Sequence, residues 1–154
     1  MLRIVFPLVL MIALLVAGCA SSPTNTPAAS PALPAVTNEW NVKMTHSGGI
    51  MGLMRSIEVS SDGSYTITDR RTNKTVSGIL SKDEISKLTK IVAGVENVAS
   101  EKPNGNCADC FVYAIEIQSS GEKFATQLDD ISLSESGMED LVTSLRALMD
   151  SALK

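Results

Sequence analysis

Between Ala20 and Asn38 the chain reads ASSPTNTPAASPALPAVTN, with four prolines and no charged residue. Such a stretch has too little apolar surface to offset the entropy of ordering it, so it is expected to be an extended spacer. At ~3.1 Å per residue it reaches at most about 60 Å. The foldable part therefore begins at Glu39, and 39–154 is long enough for one domain with a modest core. Before the spacer, Ile4–Val16 is an uninterrupted apolar run of 13 residues behind the single charge of Arg3. That length suits the h-region of an export signal. It falls short of the ~20 apolar residues that a bilayer-spanning helix needs.

The run ends in Val16-Ala17-Gly18-Cys19, which resembles the lipobox of bacterial lipoproteins. The resemblance implies cleavage between Gly18 and Cys19 and a diacylglyceryl thioether on Cys19, with 1–18 lost as a signal peptide. An ordinary secretory signal with an incidental cysteine is the alternative; the cysteine's place at the cleavage point and the abrupt turn to polar residues favour the lipobox. Two acyl chains at ~0.8 kcal/mol per buried methylene anchor a protein stably where one does not. The expected partner at this end is a lipid bilayer, cell membrane or outer membrane, with the domain facing outside the cytoplasm.

Of thirteen basic residues Arg3 lies in the leader, leaving twelve against seventeen acidic ones, a formal net charge of −5. No Lys/Arg cluster accompanies it, which argues against nucleic acid and against electrostatic adhesion to anionic lipid.

From Trp40 the pattern alternates apolar and polar through Met44, as a half-buried strand does. Arg55–Val59 and Tyr65–Thr68 flank an Asp62-Gly63 turn, a hairpin signal. Thr75–Ile79 follows a second polar turn. At Ser81 the period changes. Ser81 and Glu84 form a capping-box pattern, and Ile85, Leu88, Val92 and Val95 follow at helical spacing. A polar loop is expected over Glu96–Asp109, then strands at Phe111–Ile117 and Lys123–Leu128 around Ser119-Ser120-Gly121. Ser136–Leu153 carries Met138, Leu141, Val142, Leu145, Leu148 and Met149 on one helical face, and Lys154 suits its C-terminal dipole. The order ββββαββα implies an α+β domain, an antiparallel sheet of about six short strands with two helices packed on one face.

Cys107-Ala108-Asp109-Cys110 allows three readings. A zinc half-site needs two further ligands, and only His46 is at hand besides carboxylates. A redox pair should open a helix, where the helix N-terminus lowers the thiol pKa. A structural disulfide suits the oxidising compartment that export implies, and it is the reading the residues favour. His46, the only histidine, reads as a surface residue near a turn. Asp129-Asp130 and Glu139-Asp140 read as solvated acids. No catalytic apparatus, metal set or cofactor motif emerges, so a non-enzymatic protein is expected.

Ser47-Gly48-Gly49-Ile50-Met51-Gly52-Leu53-Met54-Arg55 has two readings. Either its apolar groups fold back onto the sheet, or they are presented to a partner, a role that methionine suits. The candidate contacts are Gly48, Gly49, Ile50, Met51, Leu53 and Arg55, with the Glu96–Asp109 loop as a second candidate surface. This run, the helix Leu80-Ser81-x-x-Glu84-x-x-x-Leu88, Ala108-Asp109 before Phe111-Val112-Tyr113, and the closing amphipathic helix together resemble the emfourin family of bacterial metalloprotease inhibitors. The resemblance covers about Asn41–Met149. It implies a small sheet-and-helix domain that blocks thermolysin-like zinc proteases. A structural or assembly lipoprotein of the cell envelope is the second expectation.

The anchor has a direct test. Cys19→Ser should abolish incorporation of labelled palmitate and move the protein from the detergent phase to the aqueous phase. Continued partition with detergent would remove the lipid reading.

Overall fold

The computed structural model describes residues 39–95, 107, 109–119 and 121–154. The leader with Gly18 and Cys19, the spacer, and most of the expected Glu96–Asp109 loop lie outside the described residues.

Strands β1 (Trp40–Gly48), β2 (Leu53–Ser60), β3 (Ser64–Asp69) and β4 (Lys74–Ile79) precede helix α1 (Lys82–Gly94). Strands β5 (Phe111–Ser119) and β6 (Glu122–Asp129) follow, then a 3-10 turn at Leu133–Glu135 and helix α2 (Glu139–Ala152). The strands form one antiparallel sheet in the order β4-β3-β2-β1-β5-β6. The expected α+β order is the observed one.

The core follows from period-2 alternation in register. Met44 faces Ile57 on β2 and Ile115 on β5; Val42 faces Val59 and Ile117. Ile67, Phe124 and Leu128 extend the same buried face, and it is closed by Leu88 and Val92 of α1 and Leu141, Val142, Leu145 and Met149 of α2. Each such aliphatic side chain contributes about 1.5–3 kcal/mol on leaving water. The opposite face is polar and open, with Lys43, Glu58, Thr66, Thr75, Ser77 and Gln118 exposed.

The capping box forms as the sequence implies. Glu84 N–H donates to Ser81 Oγ at 3.3 Å, and Ser81 N–H donates to Glu84 Oε2 at 2.8 Å. The second helix begins three residues later than its apolar spacing suggests. Ser136 Oγ donates to the Leu133 carbonyl at 2.6 Å and accepts from Met138 N–H at 3.1 Å, and Gly137 turns the chain at φ 71°. A side chain bonded to neighbouring backbone groups competes with the first helical turn. At the C-terminal end of α2, Lys74 Nζ of β4 donates to the carbonyls of Leu153 at 3.0 Å and Lys154 at 3.3 Å.

Because the box satisfies backbone groups that α1 cannot satisfy itself, Ser81→Ala should cost about 1 kcal/mol. A urea midpoint lowered at unchanged m-value would show it.

Candidate binding surface

β1 and β2 pair without a slip up to Gly48 and Leu53. Gly49, Ile50, Met51 and Gly52 close the hairpin, with Gly52 N–H donating to the Gly49 carbonyl at 2.9 Å. Gly48 and Gly49 have φ of 100° and 68°, a region that L side chains rarely enter. Space forbids side chains there as well. A Cβ on Gly48 would clash with the Cys110 carbonyl oxygen, and one on Gly49 would stand 2.6 Å from the Phe111 ring. The Gly49 N–H uses that closeness to donate to the Cys110 carbonyl at 3.3 Å.

Cys110 is itself tied down. It pairs with Cys107 at a Cα–Cα distance of 5.4 Å, inside the range that a disulfide requires. The pair leads into strand β5, and among the described residues no three His, Cys, Asp or Glu side chains are grouped to hold a metal ion. The bridge backs the hairpin where the glycines lie against it.

The consequence is the placement of Ile50 and Met51, which are 87% and 70% exposed. They do not fold back onto the sheet; two-residue reach from a tip already pressed against Cys110 and Phe111 leaves them nothing apolar to lie on. Leu53 is half-buried, and Met54 stands on the open face opposite Ser47. Arg55 turns the other way. Its Nε meets Asp69 Oδ2 at 3.2 Å and its Nη1 meets Asp150 Oδ1 at 2.9 Å. Thus the six sequence candidates separate: Gly48 and Gly49 shape the tip, Ile50 and Met51 form it, Leu53 begins β2, and Arg55 braces α2.

Behind the tip lies a polar row. Tyr113 Oη donates to Asp130 Oδ1 at 2.8 Å, and Asp130 Oδ2 accepts from Phe111 N–H at 2.9 Å. Arg146 of α2 donates to Tyr113 Oη at 3.3 Å, with its guanidinium 5.9 Å from the ring centroid. Asp69 accepts from Arg71 N–H at 2.9 Å and Thr72 N–H at 3.3 Å. Of the acids expected to be solvated, Asp129 and Asp130 are structural, while Glu139 and Asp140 are exposed at the start of α2. Asp129 is buried, and the bonds from Ser132 and then Ile131 hold its carboxyl below the usual range.

His46 is not on the surface. β1 continues past Met44 to Gly48, so position 46 falls on the buried face with positions 40, 42 and 44. The alternation Trp40, Val42, Met44, His46 carried that signal. The ring is 6% exposed, stacked on Tyr113 at 5.0 Å and edge-on to Phe111 at 4.8 Å. Its Nε2 has no hydrogen-bond partner among the described residues. Burial, then the charges of Arg146 and Arg55, push its pKa down to about 4. A neutral ring is thus wedged beneath a rigid apolar tip.

Against known proteins, the chain matches no family model, and no curated protein is similar to it.

The His46 environment sets a pH dependence. Below 6.5 the unfolded chain takes up a proton that the folded ring refuses until about pH 4. Stability is therefore full above 6.5 and falls as the pH drops toward 4, by about 3 kcal/mol for that shift at 1.36 kcal/mol per unit. The lowered carboxyls of Asp69 and Asp129 act below that window. His46→Phe should flatten the fall between pH 6.5 and 4 in denaturant titrations; an unchanged slope would assign it to other groups.

Proposed function

We propose that this protein is a lipid-anchored, extracytoplasmic binding module that docks on a partner protein through its β1–β2 tip, and that the partner class is a thermolysin-like metalloprotease. One observation carries the reading: Ile50 and Met51 stand in water on a hairpin that cannot relax around them. Leaving two large apolar side chains exposed costs roughly 25 cal/mol per Å² relative to burying them. A contact surface justifies that cost.

Rigidity is the second half of the mechanism. Association is opposed by the entropy of ordering loops and side chains, and a loop already held in its bound shape avoids that term. The glycines, the Gly49–Cys110 hydrogen bond and the cysteine pair hold the backbone, so only the Ile50 and Met51 rotamers are left to order. A tip of this kind fills an apolar cleft and excludes substrate by occupancy. The family resemblance supplies the choice of target. The lipobox supplies the anchor, and among the described residues no helix is long and apolar enough to cross a membrane.

The mature chain carrying Cys19→Ser, added at micromolar excess, should slow peptide cleavage by thermolysin-type proteases. Ile50→Ser with Met51→Ser should weaken that inhibition at least tenfold, in line with ~2 kcal/mol for central apolar contacts. Lys43→Ala on the open face should leave it unchanged. No slowing across several such enzymes would remove the inhibitor reading and favour the structural lipoprotein.

A further inference from the structure

Among the described residues, most of the exposed large apolar side chains lie at one end of the sheet. Gly48 pairs with Leu53 and with Phe111, Asp69 with Arg55 and Lys74, and Val112 with Asp129. The β1–β2 tip, the β3–β4 turn and the end of β6 therefore share a pole. Among the described residues five large apolar side chains are left in water, and four are here: Ile50, Met51, Met54 and, at 59% exposed, Ile131. The fifth, Ile79, pairs with Ser64 at the far end. Ile131 follows β6, two strands from β1, hence about 10 Å to the side at ~4.8 Å per strand.

The charges at this pole are equally uneven. Arg55, Asp69 and Asp150 are paired with one another, Asp130 is used by Phe111 and Tyr113, and Lys74 is held on the carbonyls ending α2. Arg70 and Arg71, in the β3–β4 turn, are exposed, and neither guanidinium has an ion-pair partner among the described residues. Two uncommitted cations beside an apolar patch, on a chain of net negative charge, point to a complementary acidic rim.

The acidic balance of the chain, with no larger Lys/Arg cluster, favours a protein over an anionic bilayer as the occupant. The spacer joins at Glu39, next to Trp40, which pairs with Ser119 at the opposite end. The nine residues of β1 put roughly 26 Å between the two ends at ~3.3 Å per residue. The spacer thus enters the domain at the end of the sheet opposite this surface.

We propose that Ile50, Met51, Met54, Ile131, Arg70 and Arg71 form one contact surface for a protein whose apolar cleft is rimmed by carboxylates. This rests on the tip as the docking element, and it enlarges the surface beyond the hairpin.

The test places a photocrosslinking amino acid at Ile50, Arg71 or Ile131 of the lipidated chain in cells that make it, with Ile79 and Lys43 as controls. The same protein should be crosslinked from all three pole positions and from neither control. Arg70→Glu with Arg71→Glu should reduce the adduct from position 50 at least fivefold. Adducts to lipid only, to a second copy of this chain, or equally from position 79 would each overturn the proposal, as would no adduct or indifference to charge reversal. The crosslinked protein's identity tests the inhibitor reading separately, since a partner that is not a protease removes inhibition while the surface stands.

Discussion

β1 is hydrogen-bonded along its length to β2 on one side and β5 on the other, and its last residue meets Cys110 and Phe111 only because position 48 carries no side chain. Everything distinctive about the domain depends on that close approach. It brings the hairpin against the cysteine pair, stops the tip from bending back, and leaves Ile50 and Met51 in water. A side chain at either glycine would push the tip from its support and break the Gly49–Cys110 hydrogen bond. The disulfide matters here less through global stability, since so short a ring restricts the unfolded chain little, than through fixing the surface that the glycines touch.

The same end of the sheet shows how α2 is seated. Its C-terminal half crosses the strands above a row of polar groups. Arg146 reaches Tyr113, Asp150 reaches Arg55, and the last carbonyls take Lys74. These partly exposed contacts, one ion pair and several hydrogen bonds, contribute little individually. Their value is positional, because each ties α2 to a different strand and so fixes how the helix lies. His46 sits beneath that row as a neutral ring between two aromatic neighbours. It fills space as an apolar side chain would, at the cost of an unpartnered Nε2 and a sensitivity to acid.

Much of this was readable from the residues and some was not. The strand and helix order, the Ser81–Glu84 cap and the amphipathic faces of both helices followed from local periodicity. The burial of His46 is written in the alternation running from Trp40, which continues past Met44 to the end of β1. Asp130 looked like half of a solvated acidic pair, because its partners, Phe111 and Tyr113, are nearly twenty residues away in sequence. The apolar spacing runs ahead of the true start of α2 because Ser136 Oγ bonds the neighbouring backbone of Leu133 and Met138, a local competition that periodicity does not register.

The sequence by itself determined where folding begins, which elements form and in what order. It is also the sole ground for reading Cys19 as an anchor. These are matters of composition, period and short motifs, properties of neighbouring residues in the chain. Only the tertiary structure decided that Ile50 and Met51 project, that Arg55 turns inward, and that Ile131, Arg70 and Arg71 share a pole with the tip. Those outcomes depend on which strands become neighbours and in what register, and pairings between residues as far apart as Gly48 and Phe111 are set by the packing of the whole sheet.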